Sequence, residues 1–286
     1  MRRALLAALL PLACLSACSE APEGEAVVRV NLDGSEVKET AAPDPAATAS
    51  EPAVPSACTS VTFEGAALTH CIADPAQHRI ATANLGPDKQ PFASLSAFAA
   101  SVDPATIAFA VNGGMYGDDL KPIGYYVQNG ERLKELDRGD GDGNFYMKPN
   151  GVFFGNAAGG WRVLGSNTFF NTVGDRPEFG TQSGPLLLDG GKLHPEIQDD
   201  GPSKAIRNGV GVDAGGKAHF VIADAPVSFG QLARYFRDVV KVQNALYLDG
   251  QVSSLWDPAT GRTDKGRVGP IIVVTKRAEK AEAASE

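Results

Sequence analysis

Between Ile107 and Val274 the chain alternates short apolar runs with glycine-containing turns, and this alternation limits the possible fold more than any other feature. Short runs rich in valine, isoleucine and phenylalanine are typical of buried β-strands. Asn129-Gly130 separates two such runs, and Asn-Gly is a strong hairpin signal because both residues tolerate positive φ. Asn150-Gly151 repeats the signal. Strands are predicted at Ile107–Val111, Ile123–Val127, Arg132–Leu136, Phe145–Met147, Val152–Phe154, Pro185–Leu188, Gly209–Val212, Ala218–Ala223, Ala245–Leu248 and Ile271–Val274.

Helical patterns are few. Ser94 is placed to cap a helix through Val102, and Ser228 is placed to cap one through Val240. The second helix is predicted to bury the residues that share its apolar spacing, namely Leu232, Tyr235, Phe236 and Val239. Many strands, few helices and no regular βαβ alternation predict an α+β fold, a single domain around a mixed or antiparallel β-sheet.

The N-terminus has the pattern of a lipoprotein leader. Two arginines follow Met1, a short apolar run follows them, and Leu15-Ser16-Ala17-Cys18 resembles a lipobox. We therefore expect residues 1–17 to be a signal peptide and Cys18 to be the lipidation site. The acyl chains would contribute about 0.8 kcal/mol of membrane binding per methylene. The alternative is an ordinary secretory signal in which the cysteine falls by chance.

Composition divides the rest of the chain. Residues 18–57 are rich in alanine, proline and acidic residues, which predicts a disordered tether. Residues 58–276 form the predicted domain, and residues 277–286 a charged tail. The net charge of −8 argues against a nucleic-acid partner. We expect membrane attachment through the lipid only, on the periplasmic side of the cell envelope, and Ser19 favours the outer membrane by resemblance to sorting signals.

Cys58 and Cys71 are the cysteines that remain beyond the lipidation site and Cys14 of the leader. In an oxidising compartment such a pair favours a disulfide, with a contribution of about 3 kcal/mol. Metal ligation together with His70 and His78 is the alternative, although the spacing differs from that of common zinc sites.

Four polar clusters each follow an apolar strand, where glycine lets a ligand approach the backbone. They suit an anionic sugar: Arg207 offers a planar fork for phosphate oxygens, Asp249 offers a carboxylate, and neutral side chains offer hydrogen bonds. Each cluster taken alone is equally compatible with a turn or a surface charge. The clusters are Asn112–Tyr116, Gln182–Pro185, Arg207–Gly209 and Leu248–Ser254.

These clusters carry a resemblance to the phosphodiester glycosidase family, particularly to its bacterial exported branch. The matching segments occur in the family's order between Phe109 and Leu255. One departure is Gln251-Val252, which replaces two glycines of the family's Asp-Gly-Gly-Gly-Ser-Ser stretch. The segments are Val111–Tyr116, Pro122–Gly124, Gly143–Gly151, Gln182–Leu186, Arg207–Gly211, Tyr247–Gly250 and Ser253-Ser254.

The resemblance implies hydrolysis of a sugar-1-phosphodiester in envelope glycans or glycoconjugates. Arg207 would clamp the phosphodiester, Asn112 would position the reacting groups, and Asp249 would act as base or nucleophile. No cofactor is implied, and a divalent cation stays open. The implied substrate-binding residues are Gly113, Gly114, Gln182, Ser183, Gly184, Asn208, Gly250, Ser253 and Ser254.

Glycosidases commonly use two carboxylates, and the candidates for the second are Glu178, Asp213 and Asp224, which the sequence does not rank. The competing function is a non-catalytic lipoprotein that binds a glycan or phosphoglycan. The altered Gln251-Val252 segment is compatible with that alternative.

Two further features allow two interpretations each. Asp140-Gly-Asp-Gly-Asn144 resembles the start of a calcium loop but lacks the later glycine and glutamate, which favours a solvated turn. His194 has the chemistry of a general acid, but it follows a predicted turn, which favours the rim of a pocket or the surface.

Overall fold

A computed structural model describes residues 55–250 and 252–278. The predicted leader, Cys18, most of the tether and most of the tail lie outside these residues. The strands are β1 (Cys58–Phe63), β2 (Ala66–Ala73), β3 (His78–Ala83), β4 (Ile107–Asn112), β5 (Tyr126–Gln128), β6 (Glu131–Lys134), β7 (Gly151–Asn156), β8 (Gly159–Gly165), β9 (Phe179–Ser183), β10 (Leu186–Asp189), β11 (Lys192–Leu193), β12 (Asn208–Val212), β13 (Ala218–Ala223), β14 (Ala245–Tyr247), β15 (Leu255–Asp257), β16 (Arg262–Thr263) and β17 (Ile271–Lys276). The α-helices are α1 (Leu95–Ala99), α2 (Ser166–Thr172) and α3 (Phe229–Arg234), with 3₁₀ turns at Pro104–Thr106 and Asn144–Tyr146 and a π-helical segment at Tyr235–Val240.

The strands form three sheets. Sheet one has the order β1-β2-β13-β12-β14-β10-β11, sheet two β16-β15-β4-β17-β3, and sheet three β6-β5-β9-β7-β8. Neighbouring strands within them are antiparallel. The predicted α+β class with a mixed or antiparallel sheet and few helices is confirmed, with antiparallel pairing.

The disulfide between Cys58 and Cys71 is present. The two residues face each other across the β1–β2 hairpin, so the bond ties the first described strand to the second. This confirms the prediction of a disulfide at these positions.

The main core lies between the three sheets. Phe109 of sheet two, Phe153 and Phe179 of sheet three, and Phe220 of sheet one are almost fully buried and belong to one cluster. Their rings meet edge-on or tilted at centroid distances of 5.3–5.7 Å. Within the described residues, none of the helices is long and apolar enough to cross a membrane.

Two local predictions around residue 150 are wrong. Phe145–Met147 was predicted as a strand, but Asn144–Tyr146 is a 3₁₀ turn. The Asn150 side chain donates to the Phe145 carbonyl at 2.8 Å, so the hydrogen bond of that carbonyl is made locally rather than to a strand. Asn150-Gly151 is not a turn either, because β7 begins at Gly151.

The predicted helices exist, but each differs in detail. The first is capped by Ser94 as expected and ends at Ala99, not Val102. The second is capped by Ser228 and continues as the π-helical segment after Arg234. A π-helix has more residues per turn than an α-helix, so it changes which side of the segment each residue faces. Val239, predicted to be buried, is consequently 50% exposed.

Candidate active site

All three sheets meet at the loop that joins β14 to β15. Asn112 ends β4 in sheet two, and Asn208 begins β12 in sheet one. Ser183 ends β9 in sheet three, and its hydroxyl donates to the carbonyl of Leu248, where the loop begins. Predicted site residues from distant parts of the sequence are therefore brought together here.

Two buried asparagines hold this loop in place. Oδ1 of Asn112 accepts from Nδ2 of Asn208 and from the backbone N–H of Ser254, both at 2.9 Å. Oδ1 of Asn208 accepts from the backbone N–H of Asp249 at 3.1 Å. Ser253 Oγ donates to the Asp249 carbonyl at 2.7 Å. We call Asn112, Asn208, Asp249, Ser253 and Ser254 the amide network; each buried amide in it exchanges hydrogen bonds with groups of another sheet or of the loop.

Asp249 is half-buried, and its carboxylate acts electrostatically on two tyrosines. Burial raises the pKa of Tyr247 to about 12; the charge of Arg207 opposes the rise and that of Asp249 adds to it. Burial and then the Asp249 charge raise the pKa of Tyr116. Both phenols therefore stay protonated at neutral pH, and the Tyr116 hydroxyl donates its hydrogen to the Arg267 carbonyl at 2.7 Å.

Arg207 lies under Tyr247. Its guanidinium carbon is 3.6 Å from the centroid of the Phe229 ring, and Nη1 donates to the Tyr247 hydroxyl at 3.4 Å. Nε donates to the Val227 carbonyl at 3.0 Å, and Nη2 donates to Ser203 Oγ at 3.1 Å. From the sequence, Arg207 is expected to present its guanidinium to a phosphate. In the structure the side chain is 3% exposed and positions Tyr247 instead.

Gln182 is directed elsewhere. Its Oε1 accepts from the backbone N–H groups of Tyr125 and Asp137, and its Nε2 donates to the Asp137 carbonyl and to Ser166 Oγ. These bonds use both donors and both lone pairs of the amide. Gln182 thus fastens the loop at Asp137 to sheet three, and we leave it out of the proposed site.

The glycines predicted to bind substrate are packed against the protein itself. The N–H of Gly113 donates to the Pro270 carbonyl and that of Gly114 to Thr181 Oγ1. A methyl group on Gly114 would overlap the Gln182 carbonyl, and one on Gly250 would overlap the Tyr247 hydroxyl. A methyl group on Gly184 would lie 2.6 Å from the Phe145 carbonyl oxygen. Their lack of a side chain is needed for close approach of chain segments.

The three candidates for a second carboxylate are held by groups outside the amide network. Glu178 accepts from the Ala157 N–H at 2.8 Å. Asp224 pairs with Arg262 at 2.9 Å. Asp213 contacts His219 at 3.1 Å.

Asp213 belongs to a second polar cluster that the sequence did not reveal, which we call the histidine relay. His219 contacts His70 at 2.9 Å, and His70 contacts the Tyr235 hydroxyl at 3.0 Å. Because a carboxylate accepts, we assign the proton of His219 to Nε2, which lets His70 donate to His219 and accept from Tyr235. Burial, and then the charge of His219, lowers the pKa of His70 to about 4.

The remaining candidate sites are structural in this geometry. In the calcium-like segment, Asp140 pairs with the Lys148 ammonium at 2.6 Å, and both side chains are exposed. Nowhere in the described residues do three histidine, cysteine or acidic side chains gather as for a metal ion. His194 is 1% exposed, which corrects the expectation of a rim or surface position, and burial lowers its pKa.

Sequence reasoning missed Tyr116 and Tyr247 as site residues, although both lie inside the motif segments. The sequence did offer a signal for each of them. Tyr247 lies two residues before Asp249, and Tyr116 lies two residues after Gly114, in the same motif segments. Their proximity to the Asp249 carboxylate depends on contacts between sheets, which no spacing in the chain encodes.

Comparison with known proteins identifies the family. The family model for phosphodiester glycosidase matches residues 105–275. The uncharacterized protein YigE of Escherichia coli (strain K12) is 34% identical over 152 residues, 52% of this chain and 58% of that protein. This chain thus spans little more than half the length of that relative.

A solved structure shares the fold. The catalytic domain of zebrafish N-acetylglucosamine-1-phosphodiester alpha-N-acetylglucosaminidase, auto-inhibited by its pro-peptide, has a TM-score of 0.53 at 14% identity and covers 80% of this chain and 85% of its own. A hypothetical protein from Synechocystis has a TM-score of 0.46 at 16% identity, with 77% and 61% covered. The family match spans more than half of the chain, and the chain therefore belongs to the phosphodiester glycosidase family.

Proposed function

We propose that this chain is an exported hydrolase that cleaves a sugar-1-phosphodiester in envelope glycans or glycoconjugates. The observation that carries the proposal is the position of Asp249. Its backbone is held by the amide network, while its half-buried side chain lies near two protonated tyrosines. A carboxylate on a rigid support is what general-base or nucleophilic catalysis requires.

The chemistry explains why one carboxylate suffices. Hydrolysis breaks the bond between the anomeric carbon and the phosphate oxygen, and water supplies the new hydroxyl. The leaving group departs as a phosphate monoester, whose conjugate acid has a pKa of about 6. It needs no proton from a general acid, unlike the alkoxide released by an ordinary glycosidase.

Asp249 acts in one of two ways that the stereochemistry distinguishes. As a base it takes the proton of the attacking water, and the anomeric configuration inverts. As a nucleophile it forms a glycosyl ester that water then hydrolyses, and the configuration is retained. In both cases Tyr247, which is 1% exposed and packed against Gly250, supports the Asp249 loop rather than contacting substrate.

The test uses N-acetylglucosamine 1-(methyl phosphate), because the zebrafish protein's name includes an N-acetylglucosamine-1-phosphodiester. We expect the purified protein to release the sugar and Asp249→Asn to lower kcat by about 10²–10⁴-fold. Asp238→Asn, which alters an exposed carboxylate paired with Arg237, is the matched control and should leave kcat unchanged. Full activity in Asp249→Asn would show that Asp249 takes no part in catalysis. NMR of the anomer that forms first distinguishes a base, which gives inversion, from a nucleophile, which gives retention.

The alternative function is non-catalytic binding of a phosphoglycan, which the Gln251-Val252 departure favours. It predicts measurable binding of the phosphodiester without release of the sugar, and Asp249→Asn would then change only Kd. In a hydrolase the same variant retains binding and loses turnover.

We also propose that the protein is held at the envelope through a lipid on Cys18. The support is the lipobox-like segment that ends at this residue. Cys18→Ser should abolish incorporation of labelled palmitate and move the protein from the membrane fraction to the soluble fraction. Retention of label in that variant would contradict the assignment.

A further inference from the structure

A cavity of about 530 Å³ lies on the outer face of sheet three, beside α2. This volume is within the range of small-molecule binding sites. Six of its lining side chains are aromatic or cationic, namely Tyr125, Arg132, Arg138, Phe169, Phe170 and Arg176. It is separate from the candidate active site: Tyr125 packs on Gly180 of β9, whereas Ser183 of the same strand contacts Leu248.

The cavity is lined by three arginines and by two acidic residues, Glu135 and Asp175, in a protein whose net charge is −8. Of its three arginines, Arg132 pairs with Glu135 at 2.9 Å. Across the described residues, Arg138 and Arg176 form no ion pair with a carboxylate, although Asp175 also lines the cavity. Guanidinium groups match carboxylate and phosphate geometry, so these two arginines indicate an anionic ligand.

The aromatic side chains indicate the chemical class of the anionic ligand. Phe170 is 57% exposed, which is high for a ring of its size, and the guanidinium of Arg138 lies 3.8 Å from its centroid. Phe169 is buried beneath it against Tyr125, with ring centroids 4.9 Å apart. An exposed ring beside fixed cations suits a ligand with an apolar face next to an anionic group. A sugar ring that bears a carboxylate or a phosphate has both features.

Arg138 also lines a second hollow. This hollow of about 180 Å³ lies beside the start of α2, and Asn167 and Lys148 line it as well. Arg138 therefore lies in the wall of both spaces.

We propose that this cavity binds an acidic saccharide, independently of the site around Asp249. Arg138 and Arg176 contact the anionic group, and the exposed face of Phe170 packs against a sugar ring. On this assignment the domain holds a charged glycan at one site while the other site acts on a phosphodiester.

Calorimetric titration of the purified protein tests the assignment. The probes are digalacturonic acid, which supplies carboxylates, and glucose 6-phosphate, which supplies a phosphate. Lactose is the neutral control and inorganic phosphate the anion without a ring. We expect one or both acidic sugars to bind at least about tenfold more tightly than lactose and phosphate, and the better probe identifies the anionic group.

Variants locate the binding. Arg138→Ala, Arg176→Ala and Phe170→Ala should each weaken it about tenfold or more, and Arg138→Lys, which keeps the charge but not the planar fork, should weaken it less than Arg138→Ala. Arg237→Ala, at a surface arginine paired with Asp238, is the matched control. Asp249→Asn should bind as the wild type does, which keeps this result separate from the proposed hydrolysis. Absence of binding by both acidic sugars, equal binding by lactose, or loss of binding in Asp249→Asn would overturn the proposal.

Discussion

The paired strands β12 and β13 carry a polar network at each end, and the two networks differ in chemistry. At one end, Asn208 faces Ile222 and belongs to the amide network. At the other end, Gly211 faces His219, which belongs to the histidine relay. The amide network consists of neutral side chains and backbone groups around a single carboxylate. The relay consists of groups that gain or lose protons.

This difference bears on what each end can do. Neutral amides keep the same donors and acceptors at every pH, so the amide network holds the Asp249 loop in one geometry whatever the acidity outside. The relay couples the fold to acidity instead, because His70 is kept neutral by burial. The proposed catalytic carboxylate is thus supported by groups that do not titrate.

The largest effect is expected from Asn208→Ala, which removes the central member of the amide network. The Asp249 N–H and the Asn112 amide each lose a partner inside the protein, so the free energy of unfolding should fall by about 2–4 kcal/mol. Urea unfolding measures the change. Asn167→Ala, at an exposed asparagine, should change it by less than about 0.5 kcal/mol; equal effects of the two would mean that the network does not hold the loop.

Gly250→Ala tests the loop itself. The added methyl group would overlap the Tyr247 hydroxyl, so the loop or the ring must move, at a cost of about 1–3 kcal/mol. We expect turnover of the phosphodiester to fall more than the melting temperature predicts, because Tyr247 and Asp249 are displaced together. A variant with wild-type kcat would show that their relative position is unimportant.

Acidification should weaken the relay end. The pKa of His70 is about 4 in the folded protein and 6.5 in the reference state, so the unfolded chain binds the proton first as the pH falls below 6.5. Stability is therefore lost between about pH 6.5 and pH 4. Between pH 7 and pH 5 we expect a loss of about 1 kcal/mol, reduced from the full linkage because part of the ring meets solvent.

His70→Gln is the variant that isolates this contribution, since glutamine hydrogen-bonds without titrating. The difference in unfolding free energy between pH 7 and pH 5 should shrink in His70→Gln. It should stay at the wild-type value in Asn208→Ala, because the asparagine amide does not titrate. The reverse pattern would refute the contrast between the two ends.

The smallest effect is expected from Tyr235→Phe, which removes the hydroxyl that contacts His70 at 3.0 Å. Loss of one partly buried hydrogen bond should cost about 0.5–1 kcal/mol at pH 7. Chemical denaturation at pH 7 measures it, with turnover unchanged because the relay lies outside the candidate active site. A loss above about 2 kcal/mol would mean that the hydroxyl has a further partner.

Local predictions from the sequence succeeded where a segment's own residues determine its structure. Ile107–Val111 and Ala218–Ala223 are strands because apolar residues of high β-propensity fill them. Asn129 and Gly130 turn with φ of 54° and 75°, as Asn-Gly predicts. The strand predicted at Phe145 is absent for a local reason, because the side chain of Asn150, five residues along the chain, donates to the Phe145 carbonyl.

The sequence by itself predicted nine of the seventeen strands in the described residues, both of the helix caps it named, the cysteine pairing and the motifs that identify the family. The tertiary structure alone decided which motif residues come together. Asn112, Asn208 and Asp249 meet because three sheets converge on one loop. Gln182 and Arg207 stand in equally convincing motifs, yet their polar atoms bond to the protein. The physical reason is that a buried polar side chain must find its hydrogen-bond partners in space, and those partners lie on strands far away in the chain.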